Sequence, residues 1–381
     1  MSPCTGFLRF LRQPGPWQRG GLPLLALFLG GAPLWGCASR LASQATLALP
    51  VVAEVYESER RPEENLDSLA CWPAGGWVVA TAKSTHRLLV LSVADGRLLR
   101  TVGEEGEGPG QFRRPNGVAV VADLLLVSER DNRRVQVFHL PEFASLGFVG
   151  VGTLRWPYGI AAFRSRRGVE VYVTDSYLGA GGAIPPAAEL GERVRHFLLA
   201  VRDGGVESHL VRSFGETAGD GALHMVETIA ADPQWNRLLI ADEAESARDL
   251  KVYDLDGHFT GQVLGHGAFT ADPEGLALVR YGQGGLWIAV DQYKTRTRFL
   301  VFDRVSLRPL GAFTGRVVAN TDGIAVLNES TGAFISGGLL AVNSDASVAA
   351  FPLAEIQRVL AAGGSCANSP LRRSSPAVAR N

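Results

Sequence analysis

A short cassette that recurs six times sets the number of repeating units in this chain. Each copy reads a polar residue, a small residue, an aliphatic residue and alanine. The copies are Asp67-Ser68-Leu69-Ala70, Asn116-Gly117-Val118-Ala119, Tyr158-Gly159-Ile160-Ala161, Glu227-Thr228-Ile229-Ala230, Glu274-Gly275-Leu276-Ala277 and Asp322-Gly323-Ile324-Ala325. Most copies lie about 40 to 50 residues apart, with a longer interval after Tyr158. This period is typical of β-propeller blades, which bury little alone and pack around a common axis.

Further apolar runs after each cassette predict four strands per unit. The second runs are residues 78–81, 125–128, 171–174, 239–242, 287–291 and 340–343, and a third and usually a fourth run follow with glycine-rich turns between them. The sixth unit has no clear fourth run, whereas a spare strand, residues 51–56, precedes the first unit. We therefore predict an all-β fold over residues 51–362, a six-bladed β-propeller whose last blade is closed by the N-terminal strand.

The first 37 residues have the pattern of an export signal. Arg9, Arg12 and Arg19 precede an apolar run over residues 22–35, which is too short to span a bilayer. Its end, Leu34-Trp35-Gly36-Cys37, resembles the lipobox of bacterial lipoproteins. The resemblance implies lipidation of Cys37 and an exported lipoprotein, anchored in a membrane and facing the periplasm or the exterior. An ordinary secretory signal with a chance cysteine is the alternative.

Composition limits what surrounds the propeller and what it binds. Residues 38–50 are small and polar and suit a tether, residues 353–362 have helical spacing, and residues 363–381 predict a disordered tail. Cys71 and Cys366 either form a bridge, which an exported protein permits, or remain two separate thiols. The net charge of −1 excludes the basic field typical of nucleic-acid binding. We expect a monomer that meets the membrane only through its lipid anchor.

Equivalent positions of propeller repeats form rings around the channel, so the polar cassette residues should meet in one ring. That ring comprises Asp67, Asn116, Tyr158, Glu227, Glu274 and Asp322, and the ends of the second strands add Lys83, Arg130, Asp175, Asp242, Glu243, Asp291, Gln292 and Asn343 beside it. Clustered carboxylates repel, which raised pKa values or a bound cation relieves. Oxygen ligands without histidine or thiolate suit Ca²⁺ rather than Zn²⁺. Alternatively, the polar rim only hydrogen-bonds neighbouring blades and channel water.

The second unit carries a family signature of its own. Residues 106–112, Gly-Glu-Gly-Pro-Gly-Gln-Phe, followed by residues 115–119, Pro-Asn-Gly-Val-Ala, resemble the NHL type of propeller repeat. This single copy supports the fold rather than an activity.

A second resemblance runs through six units, over roughly residues 65 to 352, and concerns the β-propeller phytases, calcium-dependent phosphatases of inositol phosphates. The stretches that carry it are residues 210–214, 226–232, 239–243, 272–276, 290–292, 321–324 and 338–342, and more loosely 81–83, Arg130 with Asn132, and 158–159. In that family, rim carboxylates hold Ca²⁺ ions that neutralise substrate phosphates and activate a water that attacks phosphorus.

Matched by position, the resemblance implies a role for each rim residue. Glu227, Glu243 and Glu274 would be catalytic, and with Asp67 and Asp322 they would bind Ca²⁺ or the nucleophilic water. Lys83, Arg130 and Tyr158 would contact phosphate, and Gln292 would assist at the rim. The chemistry agrees, because metal ions supply Lewis acidity and a nucleophile while the protein supplies positioning. The implied substrate is an inositol phosphate or another phosphoester.

The chain also departs from the phytase pattern, so a second interpretation stays open. Leu66-Asp67 stands where the family has two acidic residues, and Lys83 is followed by Ser84 where the family has two lysines. An acidic side chain of the third blade is replaced in residues 193–196, and the expected aspartate near Asn343 is shifted by one position. The alternative is a non-catalytic NHL-like propeller lipoprotein that binds a partner or small ligand. A lactonase-like hydrolase ranks below both, since no histidine-centred site is evident.

Overall fold

The structure is a computed structural model that describes residues 49–332 and 334–363. The predicted signal peptide with Cys37, nearly all of the tether, Cys366 and the tail lie outside these residues. Within them, six four-stranded antiparallel sheets follow one another along the chain, and their innermost strands contact one another in a closed ring. The predicted six-bladed β-propeller is therefore confirmed. No helix of the described residues has the length and apolarity needed to cross a membrane.

The first three blades lie between residues 66 and 214. Blade 1 comprises β2 (Leu66–Trp72), β3 (Trp77–Ala82), β4 (Arg87–Ser92) and β5 (Leu98–Val102); blade 2 comprises β8 (Pro115–Val121), β9 (Leu124–Glu129), β10 (Arg134–His139) and β11 (Ala144–Val149); blade 3 comprises β12 (Pro157–Arg164), β13 (Val169–Asp175), β14 (Val194–Arg202) and β15 (Gly205–Phe214). Two short parallel strands, β6 (Glu104–Glu105) and β7 (Gln111–Phe112), pair within the loop that joins blades 1 and 2.

The last three blades complete the ring. Blade 4 comprises β16 (Val226–Asp232), β17 (Arg237–Asp242), β18 (Asp249–Tyr253) and β19 (Phe259–Leu264); blade 5 comprises β20 (Asp272–Tyr281), β21 (Gly284–Gln292), β22 (Arg298–Asp303) and β23 (Pro309–Thr314); blade 6 comprises β24 (Ile324–Leu327), β25 (Gly338–Asn343), β26 (Ser347–Pro352) and the N-terminal β1 (Tyr56–Glu57). A single α-helix of the described residues, α1 (Leu353–Gly363), follows β26 where helical spacing predicts it.

The N-terminal strand closes the last blade, as predicted, but it is shorter than residues 51–56. β1 pairs with β26 through Tyr56 and Glu57, and Val51 instead makes a parallel bridge to Thr314 at the end of blade 5. The Glu54 carboxylate in between accepts the backbone N–H groups of residues 316–318. The segment thus crosses from blade 5 to blade 6, because its hydrogen-bonding groups are divided between two blade edges.

The apolar core consists of six clusters, and each cluster lies between two neighbouring blades. Strand alternation explains this division. In β9, Leu125 and Val127 pack toward blade 1, whereas Leu124 and Leu126 pack toward blade 3. A middle strand is therefore apolar on both faces, which is why the second runs read as continuous apolar sequence.

The cassette needs its small residue because the innermost strands approach closely there. A Cβ atom on Gly159 would lie 2.1 Å from the carbonyl oxygen of Glu227 in the next blade, and one on Gly117 would lie 2.3 Å from that of Tyr158. A buried hydroxyl on the second strand joins the same contact. Thr174 Oγ1 accepts the N–H of Gly159 at 2.8 Å and donates to the carbonyl of Glu227 at 2.7 Å. Thr81 and Ser128 repeat this link in blades 1 and 2.

We expect Gly159→Ala to lower the free energy of unfolding by about 1–3 kcal/mol, because the added methyl overlaps a backbone carbonyl and forces the strands apart. Urea denaturation measures the change. Gly191→Ala is the matched control, since its Cβ would have its nearest neighbour 3.8 Å away, and we expect a change within about 0.5 kcal/mol. Equal stability of the two variants would contradict the close-approach explanation.

Candidate functional site

A β-bulge at the cassette directs its polar side chain toward the channel. In blades 1 to 5 the register between the first and second strands shifts at the cassette, for example between Val226 and Ile229. A bulge bends its strand and turns a side chain out of the regular alternation. The polar residues of the cassettes accordingly lie at the start of the innermost strands of blades 1 to 5, and Asp322 lies just before β24 of blade 6.

The ends of the second strands supply residues of two kinds, which the sequence had grouped together. The first kind is the last or the penultimate residue of the strand, and it binds the backbone of the loop before its own blade. Asp175 accepts the N–H groups of Arg155 and Trp156, Asp242 those of His224 and Met225, Asp291 those of Thr270 and Ala271, and Asn343 that of Ala319. The next residue, at Lys83, Glu243 and Gln292, instead approaches the cassette side chains. Alternation along the strand separates the two kinds.

Three glutamates converge in a group that could hold a metal ion. One carboxylate oxygen from each of Glu227, Glu243 and Glu274 lies within 4.8 Å of the others. The Oε1 atom of Glu243 is buried and has no hydrogen-bond partner among the residues that the structure describes. A buried, unpaired carboxylate oxygen is costly, and a hard cation with oxygen ligands would satisfy it. The donor set therefore fits Ca²⁺, and the metal and catalytic roles of these residues stay predictions.

The three glutamates are electrostatically strained without a cation. Burial, and after it the neighbouring Asp67 carboxylate, raises the pKa of Glu227 to about 8. Burial and the Glu227 carboxylate likewise raise the pKa values of Glu243 and Glu274 well above their usual range. Desolvation and like charge both disfavour the ionised form, so these carboxylates either bind protons or bind a cation.

The remaining two ring carboxylates are already paired with protein groups. Lys83 Nζ lies 3.0 Å from Asp322 Oδ2 and 3.6 Å from Asp67 Oδ1. Asn116 donates to Asp67 Oδ2 at 2.7 Å, and Gln292 donates to Asp322 Oδ1. The carboxylates of Asp67 and Asp322 raise the pKa of Lys83, although burial acts in the opposite direction. Lys83, Gln292 and Asp322 thus form a hydrogen-bonded unit of the rim, and Asp67 joins it through an ion pair with Lys83.

Tyr158 and Arg130, the other predicted phosphate ligands, differ in their surroundings. Burial raises the pKa of Tyr158 well above its usual range, followed by the Glu227 carboxylate, so its hydroxyl stays protonated beside the glutamates. Arg130 instead bonds Asp131 at 2.7 Å and lies over the ring of Trp156. Tyr158 therefore belongs to the carboxylate cluster, whereas the contacts of Arg130 are with the loop after its own strand and with blade 3. Phosphate binding by either residue stays a prediction.

A second set of polar residues, which the sequence did not identify as a set, links the second and third strands of three blades. In blades 2, 3 and 5, an acid at or next to the end of the second strand pairs with an arginine in the first two residues of the third. Arg134 bonds Glu129 at 2.7 Å, Arg195 bonds Asp175 at 3.3 Å, and Arg298 bonds Asp291. The sequence contains a signal for these pairs. In each of the three blades, an acid precedes the loop between the second and third strands, and an arginine follows that loop. These pairs neutralise second-strand acids that otherwise count as candidate ligands.

The raised pKa values predict how stability depends on pH when calcium is chelated. A carboxyl whose folded pKa exceeds its unfolded value favours folding when protonated, so its contribution is largest below about pH 4.5 and declines as pH rises through the folded pKa. With Glu227 at about 8 and Asp322 at about 7, we expect stability to fall between about pH 5 and 8 by a few kcal/mol. Thermal unfolding in chelator measures the slope, and added calcium should reduce it. A Tm that rises from pH 5 to 8 would contradict this.

Comparisons with known proteins support the fold and leave the family open. No protein-family model and no curated protein matches the chain. Among solved structures, a gluconolactonase from Xanthomonas campestris matches with a TM-score of 0.50 and 17% identity, over 78% of this chain and 88% of that chain. The hydrazine synthase of Kuenenia stuttgartiensis matches with a TM-score of 0.42 and 12% identity, over 79% of this chain and 76% of that chain. A nidogen/laminin complex matches with a TM-score of 0.43 and 14% identity, over 68% of this chain and 82% of that chain. At such identity the first similarity shows a shared propeller fold only.

Proposed function

We propose that this protein is an exported calcium-dependent phosphatase of the β-propeller phytase type, acting on inositol phosphates or related phosphomonoesters and anchored through Cys37. The observation that carries the proposal is the convergence of Glu227, Glu243 and Glu274, with one buried carboxylate oxygen that no group in the described part of the chain satisfies. Of the two interpretations that the sequence left open, clustered rather than individually paired glutamates favour the phosphatase.

Each rim residue would have its own role in binding calcium or phosphate. Glu227, Glu243 and Glu274 would hold Ca²⁺, which when bound supplies Lewis acidity and a more acidic water. Tyr158, kept protonated by burial, would donate a hydrogen bond to a phosphate oxygen beside the glutamates. Lys83 would contribute positive charge at the edge of the same cluster, and Gln292 would fix the orientation of Asp322. Positioning of the phosphate between these groups is the protein's main contribution.

A ligand-binding propeller without catalytic activity remains the second candidate, and a specific observation favours it. Lys83 is held by two carboxylates, and Arg130 by Asp131 and Trp156, so two of the predicted phosphate ligands already have partners. Such pairing is expected of a rim that maintains its own structure. This candidate needs the glutamate cluster only as a binding site for a cation or a cationic ligand.

Phosphate release by the full-length protein tests the proposal directly. The substrates are phytate, p-nitrophenyl phosphate and glucono-1,5-lactone, each assayed with calcium and with chelator. We expect calcium-dependent phosphate release from phytate. Absence of release from both phosphoesters, together with a Tm that calcium leaves unchanged, would overturn the phosphatase and the metal site. Lactone hydrolysis without phosphate release would assign the chain to a different hydrolase class.

A further inference from the structure

The pair Asp67 and Asp322 differs from the glutamate cluster because three of its four carboxylate oxygens accept hydrogen bonds from protein donors and the fourth forms an ion pair with Lys83. Asp67 Oδ2 accepts from Asn116, Asp322 Oδ1 accepts from Gln292, and the two remaining oxygens face Lys83 Nζ at 3.6 and 3.0 Å. By contrast, Oε1 of Glu243 is buried with no partner. One half of the acidic rim is therefore paired with protein groups, whereas the glutamate half keeps a buried oxygen without a partner among the described residues.

We propose that the Lys83 ammonium is the built-in cation of the Asp67–Asp322 half, so that the rim takes a single divalent cation, at the glutamate cluster alone. The single divalent cation at the glutamate cluster rests on the proposed function. The role of Lys83 as the built-in cation depends only on the contacts of Lys83. The inference assigns Lys83 a specificity-determining role: it excludes a second metal ion from a site whose carboxylates would otherwise bind one.

Burial and charge make this arrangement effective. The side chains of Lys83, Asp67 and Asp322 are 10%, 7% and 12% exposed, so bulk water screens their interaction only weakly. Two desolvated carboxylates around one position would be strongly unfavourable without a positive charge between them. A third carboxylate, Asp345, interacts with Lys83 as well and is held by Asn320 at 3.0 Å. A tethered ammonium supplies the neutralising charge at any calcium concentration.

The backbone and the neighbouring amides fix the ammonium in this position. Lys83 directly follows β3, and its N–H donates to the Asn65 carbonyl at 3.0 Å. Asn116 and Gln292 come from two other blades and orient the two carboxylates. The unit thus joins blades 1, 2, 5 and 6. Calcium would displace a mobile surface lysine from the two carboxylates. A lysine held at both its backbone and its ammonium group competes well with calcium for them.

Calcium stoichiometry, measured by isothermal titration calorimetry on the full-length protein with CaCl₂, tests the inference without an activity assay. We expect one site in the unmodified protein and two in Lys83→Met, which keeps the apolar stem and removes the charge. Lys83→Arg should keep one site. Adding Asp67→Asn and Asp322→Asn to Lys83→Met should return the count to one. Calcium should also raise the Tm of Lys83→Met more than that of the unmodified protein.

Asp322→Asn alone provides a measurement that does not depend on the folding of Lys83→Met. We expect its calcium affinity to stay within about threefold of the unmodified value, since Asp322 is not a ligand under this inference; a tenfold or larger loss would overturn it. Two sites in the unmodified protein, or no added site in folded Lys83→Met, would also overturn it. No site in the unmodified protein but one in Lys83→Met would support Lys83 as the internal cation while contradicting the proposed function.

Discussion

Replacing Glu243 by glutamine is expected to reduce calcium-dependent phosphate release by at least about a hundredfold, which corresponds to about 2.7 kcal/mol of transition-state stabilisation. Oε1 of Glu243 is the carboxylate oxygen of the glutamate cluster that is buried and has no partner among the described residues, so under the proposed function an amide there would remove a calcium ligand. Initial rates on phytate at saturating calcium measure the effect. Glu355→Gln on helix α1 is the control, because Glu355 is exposed and pairs with Arg358 on the same helix.

Although Glu243→Gln should lower the rate of phosphate release, it should raise the stability of the calcium-free protein. The glutamine side chain would remove one of three mutually repelling carboxylates, so in chelator at about pH 8 we expect Glu243→Gln to have a higher Tm than the unmodified protein. Calcium should then raise its Tm far less than it raises that of the unmodified protein. Loss of activity together with lower stability in chelator would instead indicate that Glu243 supports the fold.

Replacing Arg304 by methionine is expected to lower the free energy of unfolding by about 3–5 kcal/mol. Arg304 and Asp232 are both fully buried, and the guanidinium donates to the two Asp232 oxygens at 2.6 Å each. It also donates to Gln234 and to the carbonyls of Gly282 and Gly284. Because Asp232 ends the innermost strand of blade 4 and Arg304 follows β22 of blade 5, the substitution leaves an unpaired buried carboxylate between two blades.

Urea denaturation of Arg304→Met measures this loss, and two variants control for other causes. Arg308→Met changes an exposed arginine of the same turn and should alter stability by less than about 0.5 kcal/mol. Adding Asp232→Leu to Arg304→Met should recover part of the loss, since the uncompensated charge is then gone. A double variant no more stable than the single one would show that the arginine acts through its carbonyl contacts rather than through Asp232.

The sequence by itself determined the number of blades and the membership of the ring. Six cassettes with following apolar runs predict six four-stranded units, since buried strands must be apolar on the faces that meet their neighbours. The missing fourth strand of the last unit predicts the N-terminal closure that β1 provides. These features depend on local periodicity and count, which a linear sequence carries. The convergence of Glu227 and Glu274 follows from the same repeat symmetry.

Only the tertiary structure decided which of the ring's polar groups are free. Lys83 and Asp322 are separated by most of the chain, yet their contact removes both from the set of unpaired groups. The division between Asp242, which binds its own loop, and Glu243, which joins the cluster, depends on one step of strand alternation at the end of β17. Sequence patterns fix strand boundaries to within a few residues only, and pairing between distant blades depends on ring closure. Residue types therefore predicted the candidate site, and packing between blades determined which of its polar groups are paired.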